Sequence, residues 1–329
     1  MKKWMRLFLK KIMRMLLLLL FVSVGAFLLV SLSPVDPLQA NIGQTALGAL
    51  SQEQIAKLET YWGVNEPLME RYMVWAGDFL RGDMGVSLLY RQSVSSVIMQ
   101  KLLNSLLLMT FAWVISGVFG FVLGVLSGMN RGRTIDKAIK CYALLTASTP
   151  AFWLALIFLL LFSVWFKLFP IGLSVPIGME AASVRLSDRL WHAALPALTL
   201  SVTGISNIIL HTREKMIDVM ESEYVLFAAA RGEKKWEIFK NHGFRNVLLP
   251  AITLQFASVS EIFGGSILVE QVFSYPGLGQ AVVTAGLGGD TPLLLGIAVI
   301  SAAIVFSGNF VADILYGAID PRMRKGGRP

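Results

Sequence analysis

The strongest constraint on this chain is a series of long apolar runs, each about as long as a bilayer's hydrocarbon layer is thick. A spanning helix needs about 20 mostly apolar residues, because lipid offers no partner to backbone polar groups. Of the 329 residues 55% are hydrophobic and 15% charged, too few charges for the surface of a soluble protein. The sequence therefore predicts an all-α polytopic membrane protein. Its six predicted spans cover residues 12–32, 104–128, 138–166, 194–211, 249–270 and 292–316.

The basic residues are distributed unevenly between the segments that join these spans. Of the 29 lysines and arginines, 21 lie in or beside the N-terminus, the segments after spans two and four, and the C-terminal tail. Cytoplasmic segments carry the excess of Lys and Arg in membrane proteins. This pattern predicts that both termini are cytoplasmic, and it explains the net charge of +8 without a nucleic-acid partner.

The spans divide the chain into a cytoplasmic N-terminus (1–11), a first transmembrane helix (12–32), an external segment (33–101), a five-helix transmembrane core (102–316) and a cytoplasmic tail (317–329). The basic start and leucine run of the first span would also suit a cleaved signal peptide. We predict an uncleaved anchor, because no small-x-small site precedes Ser33. A short helix is predicted to begin at Ser51, with Gln54 completing a capping box.

Two features of the core predict how its helices pack. Four small residues, Ser116, Gly120, Gly124 and Gly128, recur every four positions of span two. They lie on one helix face and would let a neighbouring helix approach closely. Pro150, near the start of span three, is predicted to kink that helix.

The segment 211–249 is too charged to enter a bilayer, with seven basic and six acidic residues. It is predicted to form a helix, a break and a second short helix. Gly232 would stop the first helix and Gly243 the second, and Pro250 would mark the start of span five. Apolar and small side chains among these charges suit a docking surface for a cytoplasmic partner, although a solvated helix with no partner stays an alternative.

This segment resembles the EAA loop of the permeases of ATP-binding-cassette (ABC) importers, specifically the peptide/nickel subfamily. The residues that carry the resemblance are Glu223, Tyr224, Ala228, Ala229, Ala230, Arg231, Gly232, His242, Arg245, Asn246 and Pro250. Further similar motifs are Gly82–Gly85, Tyr275–Gly279 and Asp320–Arg324, so the resemblance covers essentially the whole chain. Leu226 stands where the broader family often has an acidic residue.

The resemblance implies a type I ABC importer permease with six spans. Its partners would be ABC ATPase subunits, a second homologous permease and an external substrate-binding protein, in a bacterial inner membrane. The eleven residues above would couple this chain to the ATPase. ATP and Mg²⁺ would bind to the ATPase subunits, and this chain itself would bind no cofactor. The cargo would be short peptides or nickel and other metal chelates.

Three acids that lie in or beside predicted spans are predicted to have either a pathway or an interhelix role: Glu261, Glu270 and Asp313. No phosphate-binding loop, nucleophile elbow or metal-binding histidine pair occurs, so the chain is predicted not to be an enzyme and to have no catalytic or metal site. An ion-coupled secondary transporter is the alternative function. It would need more ionisable residues within the membrane and, often, two related halves.

Overall fold

The computed structural model describes residues 2–32, 67–176 and 184–319, together with positions 51, 53 and 178. In these ranges the regular structure is helical, apart from one isolated bridge between Val86 and Ser93. The helices are, in chain order, α1 (Lys2–Ser31), α2 (Leu68–Leu80), α3 (Val94–Met129), α4 (Thr134–Ala147), α5 (Ala151–Phe158), α6 (Leu186–Met220), α7 (Glu223–Ala230), α8 (Lys235–Ile238), α9 (Phe244–Ala257), α10 (Val259–Val272), α11 (Leu278–Leu287) and α12 (Thr291–Ile319). Two π-helical turns, Leu159–Trp165 and Phe239–Gly243, follow α5 and α8.

Four of these helices, α1, α3, α6 and α12, are long and apolar enough to cross a membrane. Two bent pairs also pass that test. The first is α4 with α5 and its π-helical turn, bent by 104°, and the second is Lys235–Ala257 with α10, bent by 47°. If each bent pair is one span, the described residues hold up to six spans, the number predicted from the sequence.

The sequence predicts span three as one helix over 138–166 with a kink near Pro150, and the structure breaks it much more sharply. Helix α4 ends at Ala147, α5 begins at Ala151, and the two axes differ by 104°. Proline has no backbone N–H, and it disfavours a helical conformation at the residue before it, here Thr149. The continuous helix predicted for this span is therefore wrong.

The predicted boundary between the charged loop and span five is also wrong. A helix runs without interruption from Lys235 to Ala257, so Gly243 does not end a helix and Pro250 lies inside α9. Gly243 has a helical φ of −94° and is buried, and a Cβ there would lie 3.4 Å from Val219 Cγ1. Because its backbone is in a helical conformation, Gly243 continues the helix instead of stopping it.

The chain divides into two compact units, and the boundaries between them fall next to Ser105, Tyr275 and Phe306. The first unit contains α1, α2, α11 and the first parts of α3 and α12. Its buried core consists of Val94, Val97, Ile98, Leu278, Ala281, Ala285, Leu293 and Ile297. Helices α1 and α2 meet through aromatic side chains, with Phe27 5.4 Å from Tyr72 between ring centroids.

A buried carboxylate organises the start of α12 in the first unit. Asp290 accepts hydrogen bonds from Ser87 Oγ (2.6 Å) and from the backbone N–H groups of Leu89 (3.1 Å) and Leu293 (3.2 Å). The last of these bonds caps the helix, because Leu293 N–H has no partner within α12. The loop that contains Ser87 and Leu89 is thereby held against this helix start.

The second unit contains the predicted glycine face, and the close helix approach predicted from it is confirmed. A Cβ at Gly120 would lie 2.8 Å from Ile208 Cβ, and one at Gly124 would lie 2.6 Å from Thr212 Cβ. Gly128 is equally crowded against α6. Such distances are shorter than any van der Waals contact between carbon atoms. Helices α3 and α6 therefore touch along a face that accepts only very small side chains.

Several predictions concern residues outside the described part of the chain. These are residues 33–50 and 54–66 of the external segment, which include Gln54 of the predicted capping box, and the tail with the motif Asp320–Arg324.

Candidate functional site

The segment 211–249 begins inside α6, which runs on to Met220 and so past the predicted end of span four at residue 211. Its middle part, α7, folds as a short helix with well-defined ends. Its start is marked by Ser222 in an extended conformation, whose carbonyl accepts the N–H groups of Val225 (3.1 Å) and Leu226 (3.0 Å). Glu223 lies in the first turn, where a negative charge is favourable to the helix dipole. The start of helix α7 is therefore specified locally by its sequence.

Gly232 ends this helix, as its position in the sequence predicts. It has a φ of +90°, a left-handed conformation that side chains disfavour. Its N–H donates to Ala229 O (3.0 Å), and the N–H of Glu233 reaches back to Ala228 O (3.3 Å). These two bonds form a Schellman motif, which satisfies carbonyls that the helix end would otherwise leave unpaired. The break after α7 is thus a fixed turn.

Helix α7 has one face buried within the second unit and one face exposed. Val225 and Ala228 are 2% and 3% exposed, and they belong to a hydrophobic cluster formed by Val125, Met216, Val219, Val225, Ala228, Ile238, Phe239 and Val247. Leu226 and Phe227, by contrast, are 61% and 68% exposed. A helix of eight residues is too short to be stable alone, so this cluster holds it in place. Its other face presents apolar side chains at the surface of the second unit.

Polar contacts join the two halves of the segment. Asn246 Nδ2 donates to Tyr224 Oη (3.1 Å), and His242 Nε2 lies 3.1 Å from Glu233 Oε2. The backbone N–H of Lys234 donates to Glu237 Oε2 (2.9 Å). The positions of the predicted coupling residues differ accordingly. Ala228 is buried, His242 is half-buried, and the other nine are exposed: Glu223, Tyr224, Ala229, Ala230, Arg231, Gly232, Arg245, Asn246 and Pro250.

A buried ion pair lies beside this segment, and the sequence alone does not reveal it. Arg213 forms two hydrogen bonds with Asp136, Nε to Oδ1 at 2.7 Å and Nη2 to Oδ2 at 3.0 Å. Ser127 Oγ (2.6 Å) and the N–H of Gly132 (2.8 Å) also donate to the carboxylate. In the sequence Arg213 is one basic residue of the loop among seven, and no pattern links two residues 77 positions apart.

The turn between α3 and α4 is therefore tied to the end of α6. The exposed pair Arg131–Glu221 adds a second link, and Lys235 Nζ approaches Met129 O at 3.5 Å. Val125 and Met129 also pack in or against the α7 cluster. This turn and helix α7 consequently form one packed body.

The three acids of the predicted spans have different surroundings. Glu261, on α10, is exposed and accepts two hydrogen bonds from Asn207 Nδ2 on α6, at 3.0 and 3.2 Å. Glu270 is fully buried, and Asp313 is exposed and lines a cavity of about 550 Å³ beside α6 and α9. Among the described residues, no three or more His, Cys, Asp or Glu side chains lie close enough to hold a metal ion.

A chain whose described residues are almost wholly helical, with several candidate spans and tight small-residue helix packing, is a multi-pass membrane protein. The chain belongs to the family of binding-protein-dependent transport system inner membrane components, whose family model matches residues 120–325. It therefore has the fold of a type I importer permease. This membership confirms the predicted family and the prediction that the chain is a transport component and not an enzyme.

Curated relatives align over almost the whole chain. The oligopeptide transport system permease protein AppB of Bacillus subtilis (strain 168) is 33% identical over 309 residues, 93% of this chain and 95% of the relative. A putative peptide permease protein of Brucella suis biovar 1 (strain 1330) is 33% identical over 310 residues, again 93% and 95% of the two chains. A probable peptide ABC transporter permease protein of Sinorhizobium fredii is 29% identical over 316 residues, 96% and 98%.

Proposed function

We propose that this chain is one of two permease subunits of an ATP-driven importer of short peptides, and that helix α7 docks into a separate ABC ATPase. The observation that carries the proposal is the two-faced packing of α7. Its Val225 and Ala228 side is anchored in the second unit, while Leu226 and Phe227 are left exposed. Exposed apolar side chains on an anchored helix are typical of helix-in-groove recognition.

The exposed members of the predicted coupling set would contact the ATPase, and the buried ones would transmit its motion. Tyr224, Ala229 and Arg231 lie on the exposed side, whereas Ala228 connects α7 to α6 through the hydrophobic cluster. ATP binding shifts the equilibrium between two states only if ATP binds one of them more tightly. A rigid α7 would pass that difference to the membrane helices as rigid-body motion.

The orientation predicted from the basic residues is part of the proposal. Both termini and α7 would lie in the cytoplasm of a bacterium, and the external segment 33–101 would face the binding protein outside the inner membrane. The positive-inside rule applies to the basic segments after spans two and four. These segments contain three basic residues whose contacts lie near α7: Arg131, Arg213 and Lys235.

Peptides are proposed as the cargo, in preference to nickel or metal chelates. The support is the naming of the relatives as oligopeptide or peptide permeases over 93–97% of this chain. The second permease and the binding protein would complete the path, and the ATPase would hold ATP and Mg²⁺.

The test is peptide uptake into proteoliposomes that contain this chain with its ATPase subunits, second permease and binding protein. We expect uptake that requires ATP and the binding protein and continues when ion gradients are collapsed. Uptake driven by an ion gradient without ATP would contradict the proposal and favour a secondary transporter.

The docking role of α7 is tested separately with Phe227→Asp. This variant should weaken copurification of the ATPase without unfolding the chain, because Phe227 is 68% exposed. Trp236→Asp, at a 60% exposed aromatic residue outside α7, is the matched control and should retain the ATPase. Equal ATPase retention by both variants would show that α7 is not the docking helix.

A further inference from the structure

A small cavity at the bend between α9 and α10 has an unusual polar lining for a segment that can span a membrane. Its volume is about 190 Å³, and its lining includes Asn207 and His211 of α6 and Glu261 of α10. It adjoins the larger cavity of about 550 Å³, which shares His211, Leu254 and Ala257 with it. Ionisable side chains at such a position are costly against lipid, so they face water, a partner or a ligand.

The hydrogen bonds of the Asn207 side-chain amide show which way its carbonyl oxygen points. Its Nδ2 donates to both oxygens of Glu261, at 3.0 and 3.2 Å, so its carbonyl oxygen is directed away from the carboxylate. In the ranges 67–176 and 184–319, no hydrogen bond is made to that oxygen or to the His211 ring, and Glu261 has no partner but Asn207. A carboxylate can accept about four hydrogen bonds, so Glu261 retains open positions.

Thr212 lines the adjoining cavity, but its hydroxyl oxygen is fully buried and so does not reach the cavity surface. The small cavity therefore combines an open carboxylate, an amide oxygen and an imidazole nitrogen.

We propose that Glu261, Asn207 and His211 form a subsite that binds the amino-terminal ammonium group of the translocated peptide. An ammonium group has three N–H donors and no acceptor; the Glu261 carboxylate, oriented by Asn207, offers a charged acceptor and the His211 ring nitrogen offers a neutral one. The adjoining cavity, lined by apolar residues such as Leu254 and by charged ones such as Lys215, has room for the side chains that follow. This inference rests on the proposed peptide cargo and adds the group by which the permease itself holds it.

The test uses a cysteine at the cavity wall in the complete importer complex. Cys141, the single cysteine of the chain, is replaced by Ser, and Ala257→Cys introduces an exposed thiol that both cavities share. The rate of maleimide labelling is measured with trialanine or with N-acetyl-trialanine, in the absence of the binding protein. Trialanine should slow the labelling, and the acetylated peptide should not.

Adding Glu261→Gln should raise the trialanine concentration that gives half-protection about tenfold, because a charge-assisted hydrogen bond is lost. Asp78→Asn, at an acid outside the second unit, is the control and should leave protection unchanged. Equal protection by both peptides, or full protection in Glu261→Gln, would overturn the subsite. Dissociation of the two permeases in Glu261→Gln would also overturn it, because it would show that Glu261 instead forms an ion pair with a basic residue of the second permease.

ATP-dependent trialanine uptake by the wild-type complex is measured in the same vesicles. Its absence would contradict the proposed function. Its presence without selective protection of the introduced thiol would contradict only the subsite.

Discussion

The guanidinium of Arg213 donates two parallel hydrogen bonds to the Asp136 carboxylate, at the point where α4 begins beside α6. Their side chains are only 11% and 5% exposed, unlike the other ion pairs around helix α7. Glu214 also accepts a hydrogen bond from Arg213 Nη1 at 2.6 Å. The pair therefore connects the α3–α4 turn to the helix that leads directly into α7.

Replacing Asp136 with Asn should strongly destabilise the chain, because a buried positive charge would lose its counter-ion. Breaking one partner of a buried pair costs about 3–5 kcal/mol. We expect a clear drop in the thermal unfolding temperature of the purified complex in detergent.

The control for this variant is Arg131→Ala. It removes the pair with Glu221, whose two side chains are 57% and 63% exposed, and an exposed pair contributes about 0–1 kcal/mol. If the two variants unfolded at the same temperature, the buried pair would not be the stabilising contact inferred from its geometry.

A side chain at Gly124 should disrupt the contact between α3 and α6. The Cβ of Gly124→Ala would lie 2.6 Å from Thr212 Cβ and 2.9 Å from Ile209 O, so the helices must separate. Overpacking of this kind costs about 1–3 kcal/mol. The yield of folded protein after detergent extraction is the measurement.

Gly264→Ala is the matched control for Gly124→Ala, since Gly264 is also in a helix but a Cβ added there would have no atom within 4 Å. It should be neutral or slightly stabilising, because alanine favours helices over glycine by about 1 kcal/mol. A loss of yield in both variants would point to a general intolerance of substitution.

Gly232→Pro should abolish transport and leave membrane insertion intact. Proline fixes φ near −65°, whereas Gly232 has a φ of +90°, and the variant also loses the N–H that donates to Ala229 O. Helix α7 would then leave its position, although the apolar spans are unchanged. Peptide uptake and membrane content are measured together, and normal uptake at normal expression would refute the prediction.

Charges at neighbouring alanines of α7 should act through different mechanisms. Ala228→Lys places an ammonium group in the hydrophobic cluster and should lower the stability of the chain, since Ala228 is 3% exposed. Ala229→Lys, on the exposed side, should leave stability unchanged and weaken copurification of the ATPase. Thermal unfolding and ATPase retention separate the two effects, and a reversal of this pattern would contradict the proposed orientation of α7.

Much of the site could be predicted because its signals are local. The helix that ends at Gly232 depends on residues within one turn of the glycine, and the glycine face of α3 depends on a spacing of four. The sequence predicts the position of the break at Pro150 but not the angle between the two helices. Proline removes a backbone hydrogen bond without setting the direction of the next helix. The prediction at Gly243 was wrong, since a glycine stops a helix or packs inside one according to its neighbours.

By itself, the sequence determined the membrane class, the approximate spans and the position of α7, because hydrophobicity and helix periodicity act over short stretches of chain. Only the tertiary structure decided that Ala228 is buried, that Arg213 pairs with Asp136, and that Asn207 orients Glu261. The physical reason is that these contacts join residues 54 to 77 positions apart, or depend on which helix face is covered. Such choices are made by packing, which no local pattern records.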